Sequence, residues 1–347
     1  MSPGPTRPGT PGAASPGPAL PFPQYPQHKE NPMRHLLSLQ DLDPATVRHL
    51  VDRSVKLADP SRRGLPLAGR VVGIYFSKSS TRTRTAFSSA ALRLGACVIP
   101  YGPDDLQLTT GETWGDTARV MSGYLDAFVL RTNGPLEEMR ELAGSARIPV
   151  VNALSEHEHP TQAVADLATL REHFGELTGR HILYIGEGNS SAGALAMAVA
   201  AFPDLRLTLV TPEGYGLKSH IVETIKRLTD GSNRIREHHD LDALPTGVDA
   251  VYATRWQTMG VSHEDDSWLK AFDGFRVTRQ MMTAVGGPDT VFLHDLPAMR
   301  GQDVDDDVLD GPDSLAWRQA YHKMTSAMAV LEWAVLGSPT ELAAPRA

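Results

Sequence analysis

The chain of 347 residues contains a single cysteine, Cys97, so it forms no disulfide within itself and must gain its stability by burying apolar surface. That usage fits a reducing compartment, and the expectation is a cytoplasmic protein. Basic residues are not in excess: 33 Lys and Arg stand against 41 Asp and Glu, a net charge of −8. Without a basic stripe, neither nucleic acid nor a membrane surface is an expected partner. No apolar run reaches the ~18 residues of a membrane span, and the N-terminus lacks the apolar core of a secretion signal. His157, Glu158 and His159 adjoin in a loop and lack the helical spacing of zinc-binding histidines, so no metal is expected. Gly186 and Gly188 begin a dinucleotide fingerprint, but Ser191 stands where its third glycine belongs. The turn reads instead as a tight one that lets a small ligand approach the backbone, and no organic cofactor is expected.

What is present divides the chain. Residues 1–32 are rich in Pro, Gly, Ser and Ala and have almost no aliphatic residues, the composition of a disordered tail. From residue 33 onward, short apolar runs at 71–76, 96–100, 127–130, 149–152, 181–185, 205–210, 248–254 and 290–293 alternate with helical patterns. Strand and helix joined by short links make a parallel sheet covered on both faces. The expected fold is therefore α/β, with two doubly wound parallel-sheet domains joined by interdomain helices. The first domain is placed at 33–173 and the second at 174–312. A helix at 313–337 is long enough to pack back on the first domain and tie the halves together.

The densest chemistry lies in Ser79-Ser80-Thr81-Arg82-Thr83-Arg84, between the run ending at Phe76 and a helix carrying Phe87, Ala90, Ala91 and Leu94. A strand-to-helix turn offers free backbone N–H groups and the positive end of the helix dipole, which together favour an anion. Ser80, Thr81 and Thr83 add hydroxyls, and the fork of Arg82 matches phosphate oxygens. A capping serine followed by two solvated arginines is the plainer reading, and the density of donors argues against it. In the loop Ser155–Gln162, Pro160 suits a first helical turn, which directs His159 and Gln162 toward the carboxyl ends of the strands, where open parallel sheets bind ligands.

Ser80-Thr81-Arg82-Thr83-Arg84, His159-Pro160-Thr161-Gln162 and His294-Asp295-Leu296-Pro297 with Arg300-Gly301 resemble, in order, the signatures of the aspartate/ornithine carbamoyltransferase superfamily. The resemblance runs from about His35 to Leu336 and lies closer to the ornithine branch. It implies transfer of the carbamoyl group of carbamoyl phosphate to an amine, giving a ureido product and phosphate without metal or cofactor. It further implies that Ser80, Thr81, Arg82 and Thr83 cradle the phosphate, and that Arg131 reaches both phosphate and carbamoyl oxygen. By the same likeness His159 bonds the carbamoyl oxygen, Gln162 holds the carbamoyl amide, and Lys323 faces carbamoyl phosphate. Gln107 matches a residue inserted from a neighbouring subunit, which implies a homotrimer with shared sites.

The acceptor end departs from the ornithine pattern. Asn189-Ser190 replaces a paired Asn-Asn, Thr254 replaces an Asp, and Asp295 replaces a Cys. Thr258-Met259-Gly260 keeps an ornithine-like ending, whereas Thr254-Arg255-Trp256-Gln257 resembles the aspartate enzymes, in which Arg and Gln grip carboxylates. The acceptor is expected to meet Asn189, Ser190, Thr254, Arg255, Gln257, Thr258, Met259, Asp295 and Leu296. Losing an acid at 254 and gaining Arg255 suits a carboxylate, while Asp295 suits a cationic amine and can take its proton. An acceptor related to ornithine but of different length or decoration follows; packing roles for Arg255 and Trp256 with ornithine itself as acceptor is the competing reading. Two other classes are weighed: a non-catalytic relative that binds a metabolite or partner, and a nucleotide-dependent oxidoreductase. The intact Ser80, Arg82, Arg131, His159 and Gln162 argue against the first, and Ser191 against the second.

Overall fold

The computed structural model describes residues 33–257 and 266–337. The expected tail and the positions Thr258, Met259 and Gly260 lie outside the described residues. Helix α1 (Pro44–Ala58) starts at Asp43, whose carboxylate accepts from the amides of Ala45 and Thr46 at 2.9 Å, with Pro44 filling the first helical position. There follow β1 (Val71–Phe76), α2 (Thr81–Arg93), β2 (Cys97–Tyr101), α3 (Trp114–Met121), β3 (Ala127–Arg131), α4 (Leu136–Ser145), β4 (Val150–Leu154) and α5 (Pro160–Phe174). The second half runs β5 (His181–Ile185), α6 (Ser190–Ala200), β6 (Arg206–Val210), α7 (Ser219–Leu228), β7 (Ile235–His238), β8 (Ala250–Ala253), α8 (Arg279–Val285), β9 (Val291–His294), α9 (Asp306–Leu309) and α10 (Ala316–Leu336).

Two wholly parallel sheets result, in the orders β2-β1-β3-β4 and β7-β6-β5-β8-β9. The inner strands β1, β3, β5 and β8 are almost continuously buried, as strands covered on both faces must be. In each sheet the chain reverses its direction of travel once: between β1 and β3 in the first, and between β5 and β8 in the second. Loops leave in opposite directions at such a reversal, opening a crevice at the carboxyl ends of the strands. The donor-rich turn after β1 and Arg131 at the end of β3 flank the first crevice. The glycine turn after β5 and Thr254 after β8 flank the second. Helix α10 lies against α1, α2 and α5 and also meets β9 of the second sheet. Its buried face, including Met328, Ala329, Val330 and Leu331, joins one apolar core that also contains Leu195 and Tyr184.

Several elements depart from the sequence expectation. Strand β7 (Ile-Arg-Glu-His) was not expected, because an edge strand of mostly charged residues has no apolar alternation to announce it. Helix α6 begins at Ser190 rather than 193, since the Asn189 side chain accepts from the amides of Ser191 and Ala192 and caps it three residues earlier. Helix α3 likewise begins at Trp114, ahead of 117, where Thr113 caps the amide of Asp116. The glycine turn packs tightly on the protein's own backbone while lining the cleft. A Cβ on Gly188 would fall 2.4 Å from the carbonyl carbon of Gly216 and 2.5 Å from the amide of Leu217.

Candidate active site

One cleft of about 600 Å³ gathers both crevices. On one wall stand Ser80, Thr81, Arg82, Thr83, Arg131, His159 and Gln162; on the other, Asn189, Ser190, Thr254, Arg255, Gln257, Asp295 and Leu296; Lys323 closes the base. Of the residues expected from sequence, Gln107 is not brought to this cleft: it sits exposed in the 3₁₀ turn Gln107–Thr110. Arg84 is exposed and also outside it. A second hollow, about 610 Å³, lies by Leu269, Phe272 and Arg276 and carries none of the expected site residues.

The first wall is built around Arg131. Strand β3 ends there, nearly fully buried, and its Nη1 donates to Ser80 Oγ at 3.0 Å and Thr83 Oγ1 at 3.3 Å. Ser80 occupies the N-cap position of α2 but makes no side-chain capping hydrogen bond; its hydroxyl accepts from Arg131. The plain capping-serine reading is thereby excluded, and the first amides of α2 face the cleft without a side-chain cap. Burial, with Arg82 close by, pushes the Arg131 guanidinium down to about 10, so it remains cationic at neutral pH. Burial also lowers Arg82, and Asp295 opposes that shift. Two partly desolvated guanidiniums beside a helix N-terminus form a strongly anion-seeking wall.

His159 immediately precedes α5, with Pro160 at the first helical position. Its amide donates to the carbonyl of Ser190 at 3.2 Å, fastening the loop of one sheet to that of the other. Burial, reinforced by Lys323 and Arg131, holds its imidazole well below the usual histidine range, so the ring is neutral. A neutral ring retains one N–H donor without adding a third positive charge to the wall. Next along the helix, Gln162 accepts from Lys323 Nζ and donates through Nε2 to Asp166 Oδ1 at 2.6 Å.

On the acceptor wall, Asp295 directly follows β9 with both oxygens engaged: Oδ2 accepts from Ser191 Oγ at 2.8 Å and Oδ1 from Thr254 Oγ1 at 3.1 Å. Asn189 spends its side chain on α6 and on Thr254 Oγ1, to which Nδ2 donates at 3.0 Å. It therefore lines the cleft chiefly as a structural cap. Leu296 adopts a left-handed φ of 55° at the cleft edge. Trp256 is buried and stacked on Phe272, centroids 5.1 Å apart, so it packs into the second sheet's core. Arg255 faces the cleft, with Nε buried and lacking a hydrogen-bond partner among the described residues.

Sequence reasoning overlooked Lys78 and Ser191, and it overlooked Asp166. Ser191 was visible only as a missing glycine; its hydroxyl is what orients Asp295. Asp166 had a signal, an acid one turn after Gln162 inside an otherwise apolar helix. Among the described residues there is no cluster of three or more His, Cys, Asp or Glu able to hold a metal ion, and no helix is long and apolar enough to cross a membrane.

Known proteins resemble this chain along both halves. Residues 34–172 match the family profile described as aspartate/ornithine carbamoyltransferase, carbamoyl-P binding domain, and residues 178–334 match its Asp/Orn binding domain. The ornithine carbamoyltransferase of Caldicellulosiruptor saccharolyticus is 37% identical over 310 residues, spanning 88% of this chain and 99% of that protein. That of Halorhodospira halophila is 38% identical over 308 residues, 88% of this chain and all of that protein. Among solved structures, ornithine carbamoyltransferase from Pyrococcus furiosus superposes with a TM-score of 0.79 at 33% identity, covering 86% of this chain and 96% of that one. Ornithine transcarbamoylase from Giardia lamblia gives 0.78 at 28%, covering 89% and all of that chain. With matched profiles over both halves, relatives above 30% identity over nearly their whole length and a shared fold, the chain belongs to the aspartate/ornithine carbamoyltransferase family and is a carbamoyltransferase of the ornithine carbamoyltransferase type.

Proposed function

We propose that the protein transfers the carbamoyl group of carbamoyl phosphate to the primary amine of ornithine or an ornithine-like amino acid, releasing phosphate and a ureido product such as citrulline. The observation that carries this reading is the meeting of an uncapped helix N-terminus, Arg82, Arg131, a neutral His159 and Gln162 in one cleft, facing an acid, Asp295, on the other wall. The phosphate would sit against the α2 amides, Ser80, Thr81, Thr83 and Arg82. The carbamoyl oxygen would point to Arg131 and His159, and the carbamoyl NH₂ to Gln162. Attack of the amine nitrogen forms the new C–N bond, places negative charge on the carbamoyl oxygen, and then breaks the C–O bond to phosphate, which leaves with the electron pair. Preorganised donors at that oxygen supply electrostatic stabilisation where the charge develops. Asp295 would draw in the cationic amine and take up one proton before attack, and the second, released from the nitrogen as the C–N bond forms, would leave on the phosphate. Holding both substrates in one cleft removes much of the entropic barrier.

The acceptor wall supports a substrate other than plain ornithine. Its acid at 295 is held by Thr254 and Ser191, while Arg255 offers a guanidinium suited to a carboxylate. The trimer with shared sites is part of the same reading, because Gln107 lies away from this chain's own cleft and would complete a neighbour's. We further place the domain boundary at 173/174, at the end of α5, with α10 belonging to the first domain, and the protein in the cytoplasm. The test is phosphate release from carbamoyl phosphate with ornithine, lysine, putrescine, diaminopropionate, aspartate and N-acylornithines, with mass detection of the product. Turnover of one amine names the acceptor, and best turnover of plain ornithine overturns the altered-acceptor reading. Absence of both turnover and carbamoyl-phosphate binding overturns the function itself.

A further inference from the structure

Asp166 is fully buried on α5, one helical turn after Gln162. Its Oδ1 accepts from Gln162 Nε2 at 2.6 Å and Gln319 Nε2 at 2.7 Å, and its Oδ2 from the Tyr252 hydroxyl at 3.2 Å. A carboxylate without partners in such a place would be too costly to keep, and three donors from three elements satisfy it. Gln319 also accepts the amide of His294 at 2.8 Å, so the cluster joins α5, α10, β8 and β9 beneath the cleft. Asp166 itself does not line the cleft, whereas Gln162 and Lys323 do.

We propose that Asp166 is a positioning residue that fixes which way the Gln162 amide faces, so that Gln162 presents its carbonyl oxygen, not its NH₂, to the carbamoyl group. The inference rests on the carbamoyl-transfer reading above. A carboxylate only accepts hydrogen bonds and an ammonium only donates them. With Asp166 at one end and Lys323 Nζ at the other, Gln162 must turn Nε2 inward and Oε1 toward Lys323 and the cleft. Ordinary glutamine amides flip readily because either end finds a partner; here only one orientation satisfies both neighbours. An oxygen so placed accepts from the NH₂ of a carbamoyl group, which distinguishes it from an acyl group without N–H donors. The charges agree with this arrangement: burial pushes Asp166 up and Lys323 down, and the attraction between them opposes both shifts.

The pair can be reversed. Asp166→Asn, Gln162→Glu and the double variant are compared with the parent by steady-state kinetics, and by the thermal shift that carbamoyl phosphate alone produces. Asp166→Asn lets the amide flip and should raise KM for carbamoyl phosphate about tenfold, while Gln162→Glu sets two carboxylates together and should cost on the order of a hundredfold in kcat/KM. In the double variant the amide at 166 donates to the carboxylate at 162, whose other oxygen again faces the cleft. It should recover at least about tenfold over Gln162→Glu alone, with a matching return of the thermal shift. A double variant no better than the product of the two singles overturns the proposal. Should Asp166→Asn fail to fold, Gln162→Glu against the double variant still decides. A parent that binds carbamoyl phosphate but transfers to no amine overturns the acceptor reading while the thermal shifts still read the pair. A parent that does not bind it overturns both.

Discussion

Arg131 shows how one side chain can set the character of a site. Its guanidinium holds both Ser80 and Thr83, at the start of α2 where no side chain caps the helix. Lysine cannot serve two hydroxyls and a substrate oxygen with one compact ammonium. Arg131→Lys should lower kcat/KM by about two to three orders of magnitude, in the range found for losing an oxyanion donor. A loss below tenfold, measured in the phosphate-release assay, contradicts the role given to it. His159 carries a pH signature. Its folded pKa lies below its unfolded value near 6.5, so the unfolded chain binds a proton that the folded one refuses. Its contribution is present above about pH 6.5 and is lost as pH falls below that value. The thermal midpoint of His159→Gln should therefore decline less steeply than the parent's between pH 7 and 5. Parallel curves would refute the neutral buried ring. Both residues were named from sequence through the family likeness, but the neutrality of His159 was not legible, because it comes from burial, reinforced by Lys323 and Arg131, which are remote in the chain.

Among the elements, the glycine turn and the last helix bear the most on the site. Gly188 lies against the backbone of Gly216 and Leu217, which has no rotamer with which to yield. Gly188→Ala should displace that loop and cost roughly 1–3 kcal/mol, as overpacking does, with a weaker acceptor KM. An unchanged melting curve and KM would show that the loops are not locked. Helix α10 packs on α1, α2 and α5 through residues such as Leu331, which is fully buried. Leu331→Ala should cost about 2–5 kcal/mol in denaturant unfolding, and it should weaken turnover because Lys323 and Gln319 ride on the same helix. The helix itself was legible from its length and apolar spacing. Strand β7 was not, since its place in the sheet comes from backbone pairing with β6 rather than from its own side chains.

For the whole molecule, the cleft exists because two sheets turn their reversal points toward each other. Glu158, fully buried and accepting from the Leu39 amide at 2.7 Å, anchors the loop that leads into α5. Burial raises its carboxyl to about 7. With the folded pKa above the unfolded one, its stabilising effect is complete below about pH 4 and is lost as pH rises through 7. Glu158→Gln should therefore gain stability relative to the parent between pH 5 and 8, and a constant difference across that range refutes the raised pKa. If neighbouring subunits share sites, mixing inactive Gln107→Ala with inactive Arg131→Lys under exchange conditions should restore activity, because some hybrid sites then contain neither change. No recovery would argue that each site is built from one chain.

The sequence alone determined the alternating pattern, hence two parallel sheets, and the donors at the end of β1, because strand period and turn chemistry act over a few neighbouring residues. It also identified Asp295 and Thr254 as departures. Only the tertiary structure decided what those departures do: Thr254 and Asp295 follow β8 and β9, Ser191 lies in the first turn of α6, and they meet in hydrogen bonds spanning 41 and 104 positions of the chain. The same holds for Asp166, which reads as a stray acid in an apolar helix until Gln319 and Tyr252 arrive from 153 and 86 positions away. Local patterns specify elements, but hydrogen-bond saturation of buried polar groups is settled only when distant segments pack, and the acceptor wall and the orientation of Gln162 depend on that saturation.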